Sequence, residues 1–217
     1  MILLLVSAAL AADPAKLSAG VAAAASMDLP AVDGLESTHF GPGGTLLIPF
    51  RWSVKPGATL RLHLEVGGAT GQDRVVWVQE VDGARVGVYA EDQEATYGAA
   101  RLLFGPEVAA FPRKVVSPYL GVGVGAALVA NWDRFGAAAE ALQTTTASTL
   151  QATTAVGGQG GVRIGKPGSV AVELELGYTV SFLPAASLQQ APSDLEASRS
   201  PYALDVVRGG VGVSIPL

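Results

Sequence analysis

The chain alternates apolar and polar residues over long stretches, and the clearest of these is residues 169–182. Every even position from Val170 to Phe182 is apolar, and every odd position is polar or small. A period of two predicts a β-strand with one apolar face and one polar face. The stretch is long for a globular strand, but it suffices for a tilted transmembrane strand, which needs about 9–11 residues.

Other stretches repeat the same pattern. They are residues 16–27, 45–54, 58–67, 97–104, 119–131, 156–165 and 202–217. Short turns, such as Lys55-Pro56-Gly57 and Lys166-Pro167-Gly168, alternate with long connections. This alternation is typical of an up-and-down antiparallel barrel that has compact turns at one end and loops at the other.

Residues 74–90 leave the number of strands open. Two short, charged arms, 74–81 and 84–90, flank Asp82-Gly83, which is a strong hairpin turn signal. We interpret the arms as a hairpin that extends beyond the membrane, which gives a barrel of eight strands. If the arms crossed the bilayer themselves, the barrel would have ten.

The alternation by itself fits a soluble barrel as well as a membrane barrel. However, the polar faces consist mostly of Gly, Ala, Ser and Thr, which are too small and too uncharged for a soluble exterior. Charged residues make up 15% of the chain, against roughly 25% in an average soluble protein. The sequence therefore predicts an all-β fold, a single up-and-down antiparallel transmembrane β-barrel with short periplasmic turns and long extracellular loops.

The first residues form a short apolar run that is followed by small residues. Ala9-Leu10-Ala11 fits the small-x-small pattern of a signal-peptide cleavage site. We predict a signal peptide at residues 1–11 and a barrel at 12–217, with a hydrophobic first strand as the alternative to the signal peptide. The run is too short to span a bilayer as a helix.

If the apolar faces meet lipid, the polar faces bring charged side chains into the barrel lumen. These residues are Arg51, Arg61, Glu65, Arg101, Arg163, Glu173, Glu175 and Arg208. Charges in a low-dielectric interior must be paired or hydrated, and the planar guanidinium suits bidentate pairing with carboxylates. We predict an ion-pair network that fills and fastens the lumen, with a transport role as the alternative. A three-residue turn at 166–168 would place Arg163 opposite Ala171 and diagonal to Glu173, within side-chain reach.

Several aromatic residues lie near predicted strand ends, where such rings settle at the membrane interface. We predict an aromatic girdle of Trp52, Tyr119, Trp132, Tyr178, Phe182 and Tyr202.

Other function classes find little support in the sequence. The net charge of −5 argues against a nucleic-acid partner, and the absence of cysteine excludes disulfides and thiolate metal sites. His63 lies on a polar face and is expected to fill the lumen, and nothing around His39 supports a catalytic triad. The glycine runs at 121–125 and 157–161 lack the strand-to-helix context of a phosphate loop. We expect no enzyme activity, catalytic residue, metal or cofactor.

Three segments carry a resemblance to a known family. They are Pro118-Tyr-Leu-Gly-Val-Gly-Val-Gly125, residues 170–182, and the ending Gly212-Val-Ser-Ile-Pro-Leu217. Together with the overall pattern, they resemble the small outer-membrane β-barrels of the OmpA/OmpX/OmpW type. The resemblance implies the outer membrane of a Gram-negative-type bacterium, contact with its lipid, and insertion by the outer-membrane assembly machinery. It implies no particular substrate.

Two functions fit this picture. The first is a structural or surface-interaction barrel whose loops, at residues 28–44, 68–94, 132–154 and 183–200, face the medium. The sequence identifies no partner for these loops. The second is a narrow channel for small or hydrophobic solutes, which the likeness to OmpW implies.

Overall fold

The protein is described by a computed structural model that covers residues 17–28, 39–81, 84–134, 146–183, 186–187, 195–199 and 202–217. The elements are ten strands: β1 (Leu17–Asp28), β2 (His39–Lys55), β3 (Ala58–Val81), β4 (Ala84–Ala109), β5 (Val116–Arg134), β6 (Thr146–Ile164), β7 (Ala171–Leu183), β8 (Ala186–Ser187), β9 (Leu195–Arg199) and β10 (Tyr202–Pro216). The predicted signal peptide, residues 1–11, lies outside the described residues. Among the described residues, no helix has the length and apolar character needed to cross a membrane.

Eight of the strands close into one barrel. Each strand from β1 to β6 pairs antiparallel with the next, and β10 pairs with both β7 and β1. The short strands β8 and β9 stand outside the barrel, where β9 pairs with Val76–Gln79 on the outer part of β3. The predicted up-and-down barrel of eight strands is confirmed.

The barrel has eight strands rather than ten because the two charged arms are continuations of β3 and β4. These strands stay paired from Ala58 opposite Val108 to Val81 opposite Ala84. Strand pairing is made by backbone N–H and C=O groups, so it does not need apolar side chains and continues beyond the lipid-facing segment. The sequence pattern therefore predicted the apolar parts of β3 and β4 and the charged hairpin beyond them, but not the continuous pairing that joins the two.

The turn between β6 and β7 differs from the prediction. Ile164 pairs with Val172, so the connection is longer than three residues, and Arg163 stands directly opposite Glu173 instead of Ala171. Gly168 supplies a positive φ of 74° at this turn, as Gly57 does with 81° between β2 and β3. Both values are in the left-handed region that glycine adopts without a steric penalty.

The two faces of the barrel wall differ sharply. On β7, Leu174 and Leu176 are 50% and 70% exposed on the outside, whereas the neighbouring Glu173 and Glu175 are 4% and 6% exposed on the inside. The same arrangement of bulky apolar side chains outside recurs on the other barrel strands. Water would favour the opposite arrangement, so the exterior is a lipid-facing surface.

Candidate functional site

The lumen holds a connected set of arginine and glutamate side chains, which we call the lumen network. Its members are Arg51, Arg61, Arg101, Arg163, Arg208, Glu65, Glu107, Glu173 and Glu175. The structure brings together all eight charged residues that the sequence placed in the lumen, and it adds Glu107. They come from strands β2, β3, β4, β6, β7 and β10.

The part of the network nearest the short turns is built on two carboxylates. Arg51 donates two hydrogen bonds to Glu173, at 3.0 and 2.7 Å, and its Nε donates to Glu107 at 3.1 Å. Arg163 bridges the same two carboxylates, because its Nε reaches Glu173 and its Nη2 reaches Glu107, both at 3.0 Å. Each carboxylate therefore accepts from more than one guanidinium, as charge-assisted pairing favours.

Arg61 joins this part to the middle of the barrel. It donates to both oxygens of Glu175, at 2.7 and 3.1 Å, and its Nη1 lies 3.3 Å from Oε2 of Glu107. Glu175 also accepts a hydrogen bond of 2.8 Å from the hydroxyl of Tyr119.

The part of the network nearest the loops is centred on Glu65. Arg208 Nη1 lies 2.9 Å from this carboxylate, His63 Nε2 lies 3.1 Å away and Arg101 Nη1 lies 3.7 Å away. The guanidinium of Arg208 occupies space that Gly177, directly across in β7, leaves open. A Cβ at position 177 would lie 2.5 Å from the central carbon of that guanidinium.

The sequence prediction ended this strand at residue 104 and missed Glu107, because three prolines and Arg113-Lys114 indicated a connection over residues 105–118. In the structure, β4 continues to Ala109, so Glu107 shares the lumen face with Arg101 and Leu103. The sequence did contain a signal for Glu107. If the alternation is continued from residue 101, residue 107 falls on the lumen face.

A second set of buried side chains lies mostly on the loop side of the network, with Leu103 at the level of His63. We call it the apolar layer, and it comprises Ala69, Tyr97, Ala99, Leu103, Ala127, Val129, Ala155, Leu183, Leu204 and Val206. Leu103, Val129 and Leu204 have no exposed surface at all. An eight-stranded barrel is just wide enough for its own side chains to fill it. The described part of the lumen is therefore packed with side chains: charged near the turns and apolar near the loops.

The predicted aromatic girdle is wrong for Tyr119. Its ring lies inside the lumen, 5.0 Å from the guanidinium carbon of Arg163 and 5.7 Å from that of Arg51. The reason is its odd position in β5, which it shares with the lumen-facing Gly121, whereas Leu120 faces lipid.

The other aromatic residues remain girdle candidates. Tyr178 and Phe182 are exposed on the outer face of β7, and Trp52 is on the outer-face register of β2 beside the turn. The side chains of Trp132 and Tyr202 lie outside the described part of the chain. The girdle role of these five residues stays a prediction.

Metal binding finds no candidate in the part of the chain that the structure describes. There, no group of three His, Cys, Asp or Glu side chains is arranged to hold a metal ion. The lumen carboxylates are bound to guanidinium groups instead.

Comparison with solved structures addresses the fold directly. The outer membrane protein OprG from Pseudomonas aeruginosa is similar with a TM-score of 0.55 and 13% identity, over 93% of this chain and 97% of that one. A major outer membrane protein from Thermus thermophilus is similar with a TM-score of 0.50 and 12% identity, over 92% of this chain and 99% of that one. The fold is that of an outer-membrane β-barrel. No protein-family model matches the chain, and the search of curated proteins gave no match.

The location of this outer-membrane barrel follows from its own surface together with its fold. The exterior is apolar, the interior contains the charged lumen network, and the eight barrel strands close on one another, which is how β-structure satisfies its backbone in lipid. The protein is therefore an outer-membrane β-barrel protein in contact with the lipid of that membrane.

Proposed function

We propose that this protein is a closed outer-membrane barrel with a structural or surface-interaction role, in which the barrel anchors long loops at the cell surface. The observation that supports the proposal is the packing of the lumen. The lumen network occupies the turn-side part, and the apolar layer occupies the loop-side part, apart from Leu103 at the level of His63. A solute would have to displace both.

The loop-side end of the barrel supports a surface role. Strands β3 and β4 extend as one long hairpin, with β9 paired to the outer part of β3 and β8 paired to β9, so a sheet projects on this side. The sequence of residues 72–94 is rich in acidic residues, with Asp73, Glu80, Asp82, Glu91, Asp92 and Glu94 against Arg74 and Arg85. We propose that this acidic projection is the main surface for external partners.

The alternative is a narrow channel for small or hydrophobic solutes. The apolar layer favours a channel for hydrophobic solutes, because an apolar lining suits an apolar solute. However, Leu103, Val129 and Leu204 are completely buried, so such a solute would require these side chains to move apart.

Planar-bilayer recordings on the purified barrel separate the two functions. For a closed barrel we expect no unitary conductance from the natural protein, and none from Arg51→Ala or Glu173→Ala, because the apolar layer still closes the lumen. Uptake of a hydrophobic dye into vesicles that contain the barrel should not exceed uptake into empty vesicles. Conductance steps or faster dye entry with the natural protein would instead establish the channel.

We propose no catalytic role. The position of His63 supports this, because its side chain is buried against Glu65 in the lumen network. We also propose that residues 1–11 act as a signal peptide and that the outer-membrane assembly machinery inserts the barrel. The sequence pattern supports both.

A further inference from the structure

The turn-side end of the barrel contains a cavity of about 210 Å³, which we call the turn-side cup. All eight barrel strands or their turns contribute to its wall. Six of its lining residues carry hydroxyl groups: Ser18, Ser53, Thr59, Ser117, Ser169 and Ser214. The cup is therefore a polar recess at the mouth of the barrel, on the side opposite the long loops.

The charge of the cup is of one sign. Arg163, Lys114 and Lys166 line it, and among the described residues no acidic side chain does. Arg163 differs from the other arginines of the lumen network in being a quarter exposed, whereas they are almost fully buried. It is the member of the network that the cup can reach.

The lumen network beneath the cup leaves part of Arg163 unused. Arg51, Arg61 and Arg163 are matched there by Glu107, Glu173 and Glu175, so the excess positive charge of the cup comes from Lys114 and Lys166. The carboxylates that Arg163 contacts use its Nε and Nη2, and neither of them bonds its Nη1. Arg163 therefore retains donor capacity beside the cup.

We propose that the turn-side cup binds a phosphate group, supplied by the headgroup of an anionic phospholipid or by a small phosphate compound. Cationic side chains and hydroxyl donors together are the groups that bind phosphate oxygens in proteins. Pockets for drug-sized ligands measure about 300–1,000 Å³, so the cup suits a single headgroup-sized anion. The turns that form its rim lie at one end of the lipid-facing band, where phospholipid headgroups are found.

Two double variants that each remove two positive charges distinguish phosphate binding in the cup from attraction to any basic surface at this end of the barrel. Lys114→Ala/Lys166→Ala removes two lysines that line the cup. Lys55→Ala/Arg113→Ala removes two cations from turns at the same end that do not line it. None of the four belongs to the lumen network, and folding of each variant is checked by heat-modifiable gel migration.

The first probe is inorganic phosphate, titrated calorimetrically into the barrel folded in a phosphate-free, non-ionic detergent. We call Lys114→Ala/Lys166→Ala the cup pair and Lys55→Ala/Arg113→Ala the control pair. We expect phosphate to bind the cup pair at least tenfold more weakly than the natural protein, and the affinity of the control pair to change less than twofold. The second probe is phosphatidylglycerol in nanodiscs of phosphatidylcholine, with retained lipid counted by native mass spectrometry. We expect retained phosphatidylglycerol to fall in the cup pair and to persist in the control pair.

The two probes identify the source of the phosphate. If Lys114→Ala/Lys166→Ala retains less phosphatidylglycerol than Lys55→Ala/Arg113→Ala does, the phosphate group comes from a lipid headgroup. If it loses only the binding of inorganic phosphate, the ligand is a small phosphate compound. The proposal is overturned if the natural protein binds neither probe, or if the control pair weakens binding as much as the cup pair does.

Discussion

Arg51 and Arg61 face each other across β2 and β3, and both donate to the same oxygen, Oε2 of Glu107. Like charges directly opposite each other in a sheet are destabilising. Glu107 comes from β4, so a third strand supplies the charge that allows the two arginines to share this level of the lumen. Glu107 is therefore a central member of the network, although it lies close to the strand end.

Replacement of Glu107 by Gln tests this role. The change keeps the size of the side chain but leaves Arg51, Arg61 and Arg163 without one of their carboxylate partners. Loss of one partner from a buried ion pair costs about 3–5 kcal/mol, and we expect a loss of this size in the free energy of unfolding. Reversible urea unfolding of the barrel in lipid vesicles, followed by tryptophan fluorescence, measures it.

The double variant Arg61→Met/Glu107→Gln should lose less stability than the sum of its two single variants, because it also removes one of the facing arginines. Lys55→Gln, in the exposed turn, is the charge-change control and should stay within about 0.5 kcal/mol. Equal stability of Glu107→Gln and the natural protein would contradict the central role of Glu107.

Tyr119→Phe tests the position of this ring inside the lumen. The variant keeps the ring beside Arg163 and Arg51 but removes the hydroxyl that donates to Glu175. Hydrogen bonds to charged groups contribute about 1.5–3 kcal/mol, and we expect the urea titration to show a loss in this range. A residue at the membrane interface would tolerate the change, so a loss near zero would return Tyr119 to the girdle.

Gly177→Ala tests the space that Arg208 occupies. The added methyl group would contact the guanidinium, which Glu65, Glu175 and Thr179 hold in place. Overpacking of this kind costs about 1–3 kcal/mol. Gly158→Ala is the control in the neighbouring strand, because the nearest atom to its added Cβ is 3.9 Å away. If both variants are equally stable, Arg208 does not depend on Gly177.

Leu176→Arg tests the lipid-facing exterior. An arginine on the lipid face near the bilayer midplane costs about 2–4 kcal/mol, and near the interface about 0–1 kcal/mol. We expect the larger loss for Leu176→Arg, in the middle of β7, and the smaller for Val115→Arg, in the turn-side connection. The free energy of unfolding of both variants is measured in lipid vesicles. If Leu176→Arg is neutral, this face does not contact lipid.

The sequence predicted the barrel because alternation separates the two faces of each strand, and the small, uncharged residues of the polar faces argue against a soluble exterior. It also predicted that Arg163 and Glu173 would come together, and they do, at 3.0 Å. The register was wrong, because turn length is set by backbone geometry that Lys166-Pro167-Gly168 does not specify alone. A register error of two residues leaves Arg163 and Glu173 on the same face of the sheet. The predicted contact between them therefore forms in spite of the error.

The rest of the site depends on information that one strand does not contain. Nothing in β4 indicates that Glu107 will meet Arg51 from β2, because that contact follows from barrel closure and from the stagger of the strands. Tyr119 could have been placed inside from its odd position, but its nearness to a strand end favoured the girdle. The apolar layer was not predicted, since its alanines and valines resemble ordinary strand residues in sequence.

The lumen network also constrains how the chain can reach its native state. Arg51 and Glu173 are 122 residues apart, and Arg61 and Glu175 are 114 apart. Until β7 arrives, Arg51 and Arg61 each lack one of their two carboxylate partners, and an incompletely paired guanidinium group is costly in hydrocarbon. Stepwise insertion of single hairpins would expose these charges to lipid. We therefore expect the chain to complete most of its strand pairing in a hydrated setting, so that transfer to the bilayer is coupled to closure of the barrel.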